Sequence, residues 1–160
     1  MYNTRIDIEP STRKTVIALL QPALRDAVDL FTQIKQAHWN VKGPNFIALH
    51  ELFDDIAEQV EEHGDLIAER ITALGGRADG TARIVAAASR LDEYPLDVAT
   101  GAEHIAAVAE RLAAFAETVR VAIDTAAGLG DADTADLFTE VSRETDKQLW
   151  LVEAHLQADG

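Results

Sequence analysis

Apolar residues recur three and four positions apart along nearly the whole chain, and no segment alternates apolar with polar residues over a strand's length. The spacing predicts helices throughout. The first runs from Ser11 or Thr12, both good N-caps, to Trp39–Asn40, with Val16, Leu20, Ala23, Ala27, Leu30 and Ile34 facing inward. Pro22 lies inside it and has no N–H to offer the carbonyl of Ala18, so a kink or local break is expected there. Val41-Lys42-Gly43-Pro44 then reverses the chain.

A second helix is predicted from Asn45 to Leu74, stopped by Gly75-Gly76. Its stripe is Phe46, Leu49, Phe53, Ile56, Val60, Ile67, Ile71 and Leu74. From Gly75 to Thr100 the chain is too long for a tight turn, so it reads as a crossover with one short helical run at Ile84–Ser89. A third long helix spans Gly101 to Ala127, turning Ile105, Val108, Leu112, Phe115, Val119 and Ile123 inward, and Gly128-Leu129-Gly130 ends it. The fourth opens at Asp131 or Asp133 and continues to Leu156, with Val141, Leu149, Val152 and Leu156 on its core side. Four long helices with one long crossover describe an all-α, ferritin-like four-helix bundle, with the crossover carrying a short helix between helices two and three. One domain is expected over residues 1–160, with 1–10 as a short N-terminal extension.

Composition narrows the chemistry. The chain has no cysteine, which excludes a disulfide framework, a thiolate nucleophile and a zinc–cysteine site. Any metal must be held by His, Asp or Glu, a donor set suited to iron, manganese, magnesium or zinc. The net charge of −14 repels phosphate backbones and attracts cations. No stretch has the roughly 20 apolar residues of a membrane span, and the first residues lead into no secretory h-region, so a cytoplasmic location is expected.

Two pairs on the second helix carry the candidate chemistry: His50 with Asp54, and Asp65 with Glu69. Members of a pair lie four residues apart and stack on one helix face. The pairs are mirror images about Gln59–Val60. In two copies crossing antiparallel at that point, His50 and Asp54 of one face Glu69 and Asp65 of the other. Within one helix the pairs sit on the order of 20 Å apart, so a single helix cannot close the site. At about 100° per residue the apolar stripe centres about 140° from this arc, which turns the pairs away from the bundle core. Spacing alone leaves two readings: a solvated acidic face, or a two-fold seam with two identical metal sites. His63, the other inward-tending polar residue of this helix, stands alone and reads as a structural core histidine.

The segment Gln33 to Gly76 resembles the Dps family, the mini-ferritins named as DNA-binding proteins from starved cells. The resemblance rests on Lys35-Gln36-Ala37-His38-Trp39-Asn40-Val41, Gly43, Asn45-Phe46, Leu49-His50-Glu51, Asp54, Asp65, Ala68-Glu69-Arg70 and Leu74-Gly75-Gly76. Tyr94-Pro95-Leu96, Asp146-Lys147 and Trp150 also fit the family. The resemblance implies a hollow homododecamer with two-iron ferroxidase sites at two-fold interfaces. It assigns His38, His50 and Asp54 to one subunit's share of each site, and Asp65 and Glu69 to the partner's. Zinc can take the same ligands. It further implies Fe(II) oxidation, preferably by hydrogen peroxide and otherwise by oxygen, with storage of Fe(III) mineral and protection against oxidative damage. Trp39 beside His38 is then a relay or sacrificial reductant, or else an ordinary interfacial aromatic.

By the same resemblance Asp131, Asp133, Asp136 and Glu140 surround a three-fold pore that draws cations inward. They also suit a helix N-terminus, and the two readings are compatible. The alternative function is a nucleoid protein that compacts DNA and carries a secondary metal site. A third reading is a cage without redox turnover. Direct DNA binding in the family generally relies on a basic terminal extension. Here Arg5 is opposed by Asp7 and Glu9, and the C-terminus is Gln157-Ala158-Asp159-Gly160, so DNA binding is not expected.

Overall fold

Helix stops and caps set the lengths of the elements. The computed structural model describes residues 1–157 and contains α1 (Pro10–Asn40), α2 (Phe46–Ala73), α3 (Ala82–Ala88), α4 (Gly101–Gly128) and α5 (Ala132–Glu153). The tail expected at Ala158-Asp159-Gly160 lies outside the described residues. Among the described residues there is no strand. α1 lies along α2 and α4 along α5, α1 also meets α4 and α2 meets α5, and α3 rests on α1. This is the predicted four-helix bundle with its long crossover.

Both Gly-terminated helices end in the same way. Gly75, at φ +89°, donates to the carbonyl of Thr72 while Gly76 donates to Ile71. Gly130, at φ +79°, donates to Ala127 while Asp131 donates to Ala126. Each is a Schellman closure that occupies the last free carbonyls. At the other end of α4, Thr100 and Glu103 form a reciprocal capping box.

The predicted stripes form the core: Val16, Leu20, Ala27, Leu30, Phe53, Ile56, Leu112, Phe115, Val119 and Val141 are all fully buried. Two expected core positions differ. Phe46 is 39% exposed, because it opens α2 where the chain reverses, and its ring tilts against His50 instead. Leu156 is 44% exposed, because α5 ends at Glu153 and the helical stripe no longer applies beyond it.

The break expected at Pro22 is absent, and α1 is continuous through it. Ala18, whose carbonyl loses its partner, lies on the exposed side of the helix, where water can donate to it. Residues before α1 are held to the body of the protein. Tyr2 N–H donates to the Gly75 carbonyl at 2.7 Å, and Arg13 donates to the carbonyls of Ile8 and Leu74.

Candidate metal centre

The last turn of α1 and the first turns of α2 are joined by two histidines that exchange hydrogen bonds. His38 Nδ1 lies 2.7 Å from the carbonyl of His50, and His50 Nδ1 lies 2.8 Å from the carbonyl of His38. The rings stack with centroids 3.7 Å apart and planes 19° from parallel. A carbonyl only accepts, so each Nδ1 must carry the proton. The neutral ring then keeps its lone pair at Nε2, the tautomer a metal needs. The clasp also occupies the His38 carbonyl, one of the four left without a helical partner at the end of α1.

Asp54 lies one turn beyond His50, and its Oδ1 is 3.8 Å from His38 Nε2. The same oxygen accepts from the Lys35 ammonium at 2.5 Å. The hydrogen bond from the Lys35 ammonium, with its positive charge, is the main reason that the Asp54 carboxyl is held below the usual carboxylate range. Lys35 is one helical turn before His38, so both reach the same patch. Sequence reasoning gave Lys35 no role, although its i, i+3 relation to His38 was the available signal.

Asp65 and Glu69 are exposed on α2 beyond its midpoint, as the helical wheel expects. Neither has an ion-pair partner among the described residues. One subunit thus carries two separate donor groups: the His38, His50 and Asp54 patch, and the Asp65 and Glu69 pair. Within the described residues of one chain, no three His, Asp or Glu side chains are grouped closely enough to hold a metal. Trp39, next to His38 in the chain, is 65% exposed, and Ile47 is 61% exposed.

Asp131 is drawn into the protein's interior. It caps α5, accepting from the N–H and hydroxyl of Thr134, and it pairs with Arg70 at 2.7 Å. Burial alone would raise its pKa. The Thr134 bonds and the Arg70 charge outweigh that and hold the carboxyl below its ordinary range. Asp133, Asp136 and Glu140 are the exposed acids of this group. His63 is fully buried in the bundle, with Nε2 2.7 Å from Glu144 of α5, a structural position as expected.

These side chains are imidazole and carboxylate donors that do not close around a metal within one chain, and comparisons with known proteins identify the family. A family model described as a ferritin-like domain matches residues 17–159. A DNA protection during starvation protein from Agrobacterium fabrum is 44% identical over 156 residues, spanning 98% of this chain and 96% of its own length. The chain belongs to the Dps family of ferritin-like proteins. Its fold is that of the solved Dps of Mycobacterium smegmatis, with a TM-score of 0.94 at 33% identity over 100% of this chain and 91% of that one. The Dps of Microbacterium arborescens in the high iron form is also similar, with a TM-score of 0.87 at 32% identity over 92% and 96% of the two chains. This Dps chain therefore has the family's bundle, and its crossover carries the expected short helix.

Proposed function

We propose that the chain is an iron-oxidising, iron-storing mini-ferritin. Two identical centres lie at the seam of a two-fold dimer, each taking His38, His50 and Asp54 from one subunit and Asp65 and Glu69 from the other. Fe(II) is oxidised there, preferably by hydrogen peroxide, and Fe(III) mineral collects inside a dodecameric cage in the cytoplasm, protecting against oxidative damage. Iron storage and protection from oxidative damage are the general business of the Dps and ferritin-like proteins. The observation that carries the reading here is the histidine clasp, which leaves the Nε2 lone pair of each ring free, that of His38 3.8 Å from Asp54 Oδ1. Imidazole and carboxylate oxygen bind Fe(II) and tolerate Fe(III).

Each residue has a definable task. The clasp holds both imidazoles in the ligating tautomer. Asp54 supplies negative charge to offset the metal, as do Asp65 and Glu69 from the second copy. Two Fe(II) ions held together give one electron each to peroxide, which avoids the one-electron step that would release hydroxyl radical. Trp39, exposed beside His38, is placed to donate an electron when the count falls short. Anaerobic Fe(II) loading followed by peroxide tests this: consumption of about one peroxide for every two irons, with little spin-trapped hydroxyl radical, is the expected result. Abundant radical at full iron loading would reject it. The particle mass should be that of twelve subunits, and a stable monomer would reject the shared centre.

Lys35 competes with a metal for Asp54, because its ammonium occupies the carboxylate oxygen nearest His38. Lys35→Met is expected to tighten Zn(II) binding about fivefold, the factor for a partly exposed ion pair. Titration calorimetry reads this, and unchanged affinity would mean that Lys35 swings aside without cost.

DNA compaction is not part of the proposal, although the relatives carry DNA protection in their names. The charge is −14 per chain, and residues 1–9, with Arg5, lie against the body through Tyr2 and Arg13. At about 150 mM salt and neutral pH no complex with duplex DNA is expected in a gel-shift assay. A stable shifted band there would restore the nucleoid reading.

A further inference from the structure

Tyr94, on the crossover, and His104, in the first turns of α4, form a buried hydrogen-bonded pair that the iron chemistry above does not use. The phenol oxygen lies 2.6 Å from His104 Nδ1, and the rings lie 19° from parallel with centroids 6.1 Å apart. Tyr94 is 9% exposed and His104 is 1% exposed. The far side of the His104 ring faces the backbone of Asn40, two residues after His38, without forming a well-made hydrogen bond. A carbonyl beside Nε2 favours the proton there, which leaves the Nδ1 lone pair to accept from the Tyr94 hydroxyl. Tyr94 and Trp39 border the same surface groove.

We infer that Tyr94 and His104 form a proton-coupled electron donor that supplies the missing electron when peroxide meets a half-loaded iron centre. The inference rests on the proposed peroxide chemistry. A single Fe(II) gives one of the two electrons that break the peroxide O–O bond. Tyr94 gives the other, by way of Trp39, and becomes a neutral phenoxyl radical as its O–H proton moves to His104 Nδ1. With two protons from solvent, the products are Fe(III), two waters, the radical and an imidazolium. A later Fe(II) reduces the radical, and His104 returns the proton.

The environment suits this task. Burial pushes the Tyr94 phenol up to about 12 and lowers the His104 imidazole, so at neutral pH both groups rest uncharged. Loss of an electron makes the phenol strongly acidic, and the adjacent lone pair takes its proton without any group having to move. A tyrosine that served only to pin the crossover to α4 would need a hydrogen bond, but not a base with a free lone pair.

The chain has only two tyrosines, so Tyr2→Phe leaves Tyr94 as the sole source of a tyrosyl signal. In that background, substoichiometric Fe(II) followed by peroxide and freeze-quench should give a tyrosyl radical by electron paramagnetic resonance. Tyr94→Phe should abolish it and raise spin-trapped hydroxyl radical, and His104→Gln should sharply reduce its yield. Iron oxidation at full loading, measured on the same samples, should be unaffected in these variants. Normal oxidation with no tyrosyl signal, or a signal unchanged by His104→Gln, would overturn the inference while leaving the proposed function standing. Flash-generated ruthenium(III) polypyridyl oxidant tests the pair without iron. A Tyr94 radical that depends on His104 is expected, and absence of that dependence would overturn the pairing even if the iron reading failed.

Discussion

Subunits carrying His50→Ala with Asp54→Ala, and subunits carrying Asp65→Ala with Glu69→Ala, are each expected to lose iron oxidation alone and to regain it when assembled together. In a two-fold seam the same patch meets itself, so every centre takes one half from each copy. In a mixed dimer one centre inherits both damaged halves and the other inherits both intact ones. Random assembly of equal amounts should therefore restore about a quarter of the wild-type centres. Peroxide-dependent oxidation rates and Zn(II) stoichiometry both read this. A centre built within one subunit predicts no recovery at all. Mixed particles verified by mass, yet inactive, would falsify the shared assignment.

Arg70→Met is expected to destabilise the fold by about 3 kcal/mol, the usual cost of leaving a buried carboxylate without its cation. The Asp131 side chain is 1% exposed and pairs with an Arg70 that is itself 13% exposed. The pH dependence has a definite sign. The Asp131 pKa is depressed in the folded state, so its contribution is present above the unfolded carboxylate value and is lost as pH falls through the folded one. The gap between wild type and variant should therefore narrow in acid. Urea unfolding at equal subunit concentration measures it, since assembly affects apparent stability. Exposed Asp136 and Glu140 predict the opposite signature. Replacing them by Asn and Gln should leave stability nearly unchanged and slow iron entry, if they line a pore. An Asp131→Asn variant that is as stable as wild type would return Asp131 to the pore group.

Local patterns explain most of what could be read from the chain in advance. The stripes of α1, α2 and α4 predicted their buried faces because a helix places residues three and four apart on one side whatever its neighbours are. Gly75 and Gly130 marked helix ends because each adopts a positive φ that other residues resist. Thr100-x-x-Glu103 is a capping box of the same local kind. The failures arose where position in the bundle overrode the pattern. Phe46 has the right spacing for the core but stands at the open end of α2, and the Ala18 carbonyl that Pro22 leaves unpaired faces solvent.

The sequence by itself determined the helices, their inward faces, the family, and the mirrored placement of His50, Asp54, Asp65 and Glu69 away from the core. These follow from periodicity and local backbone chemistry, which act over a few residues. Only the tertiary structure decided how residues distant in the chain share their atoms. It brought His38 and His50 into a clasp that selects their tautomer, and it set Lys35 against Asp54. It also turned Asp131 inward to Arg70 and joined Tyr94 to His104. Each of these depends on an angle and a distance between two elements, and no spacing within one element encodes them.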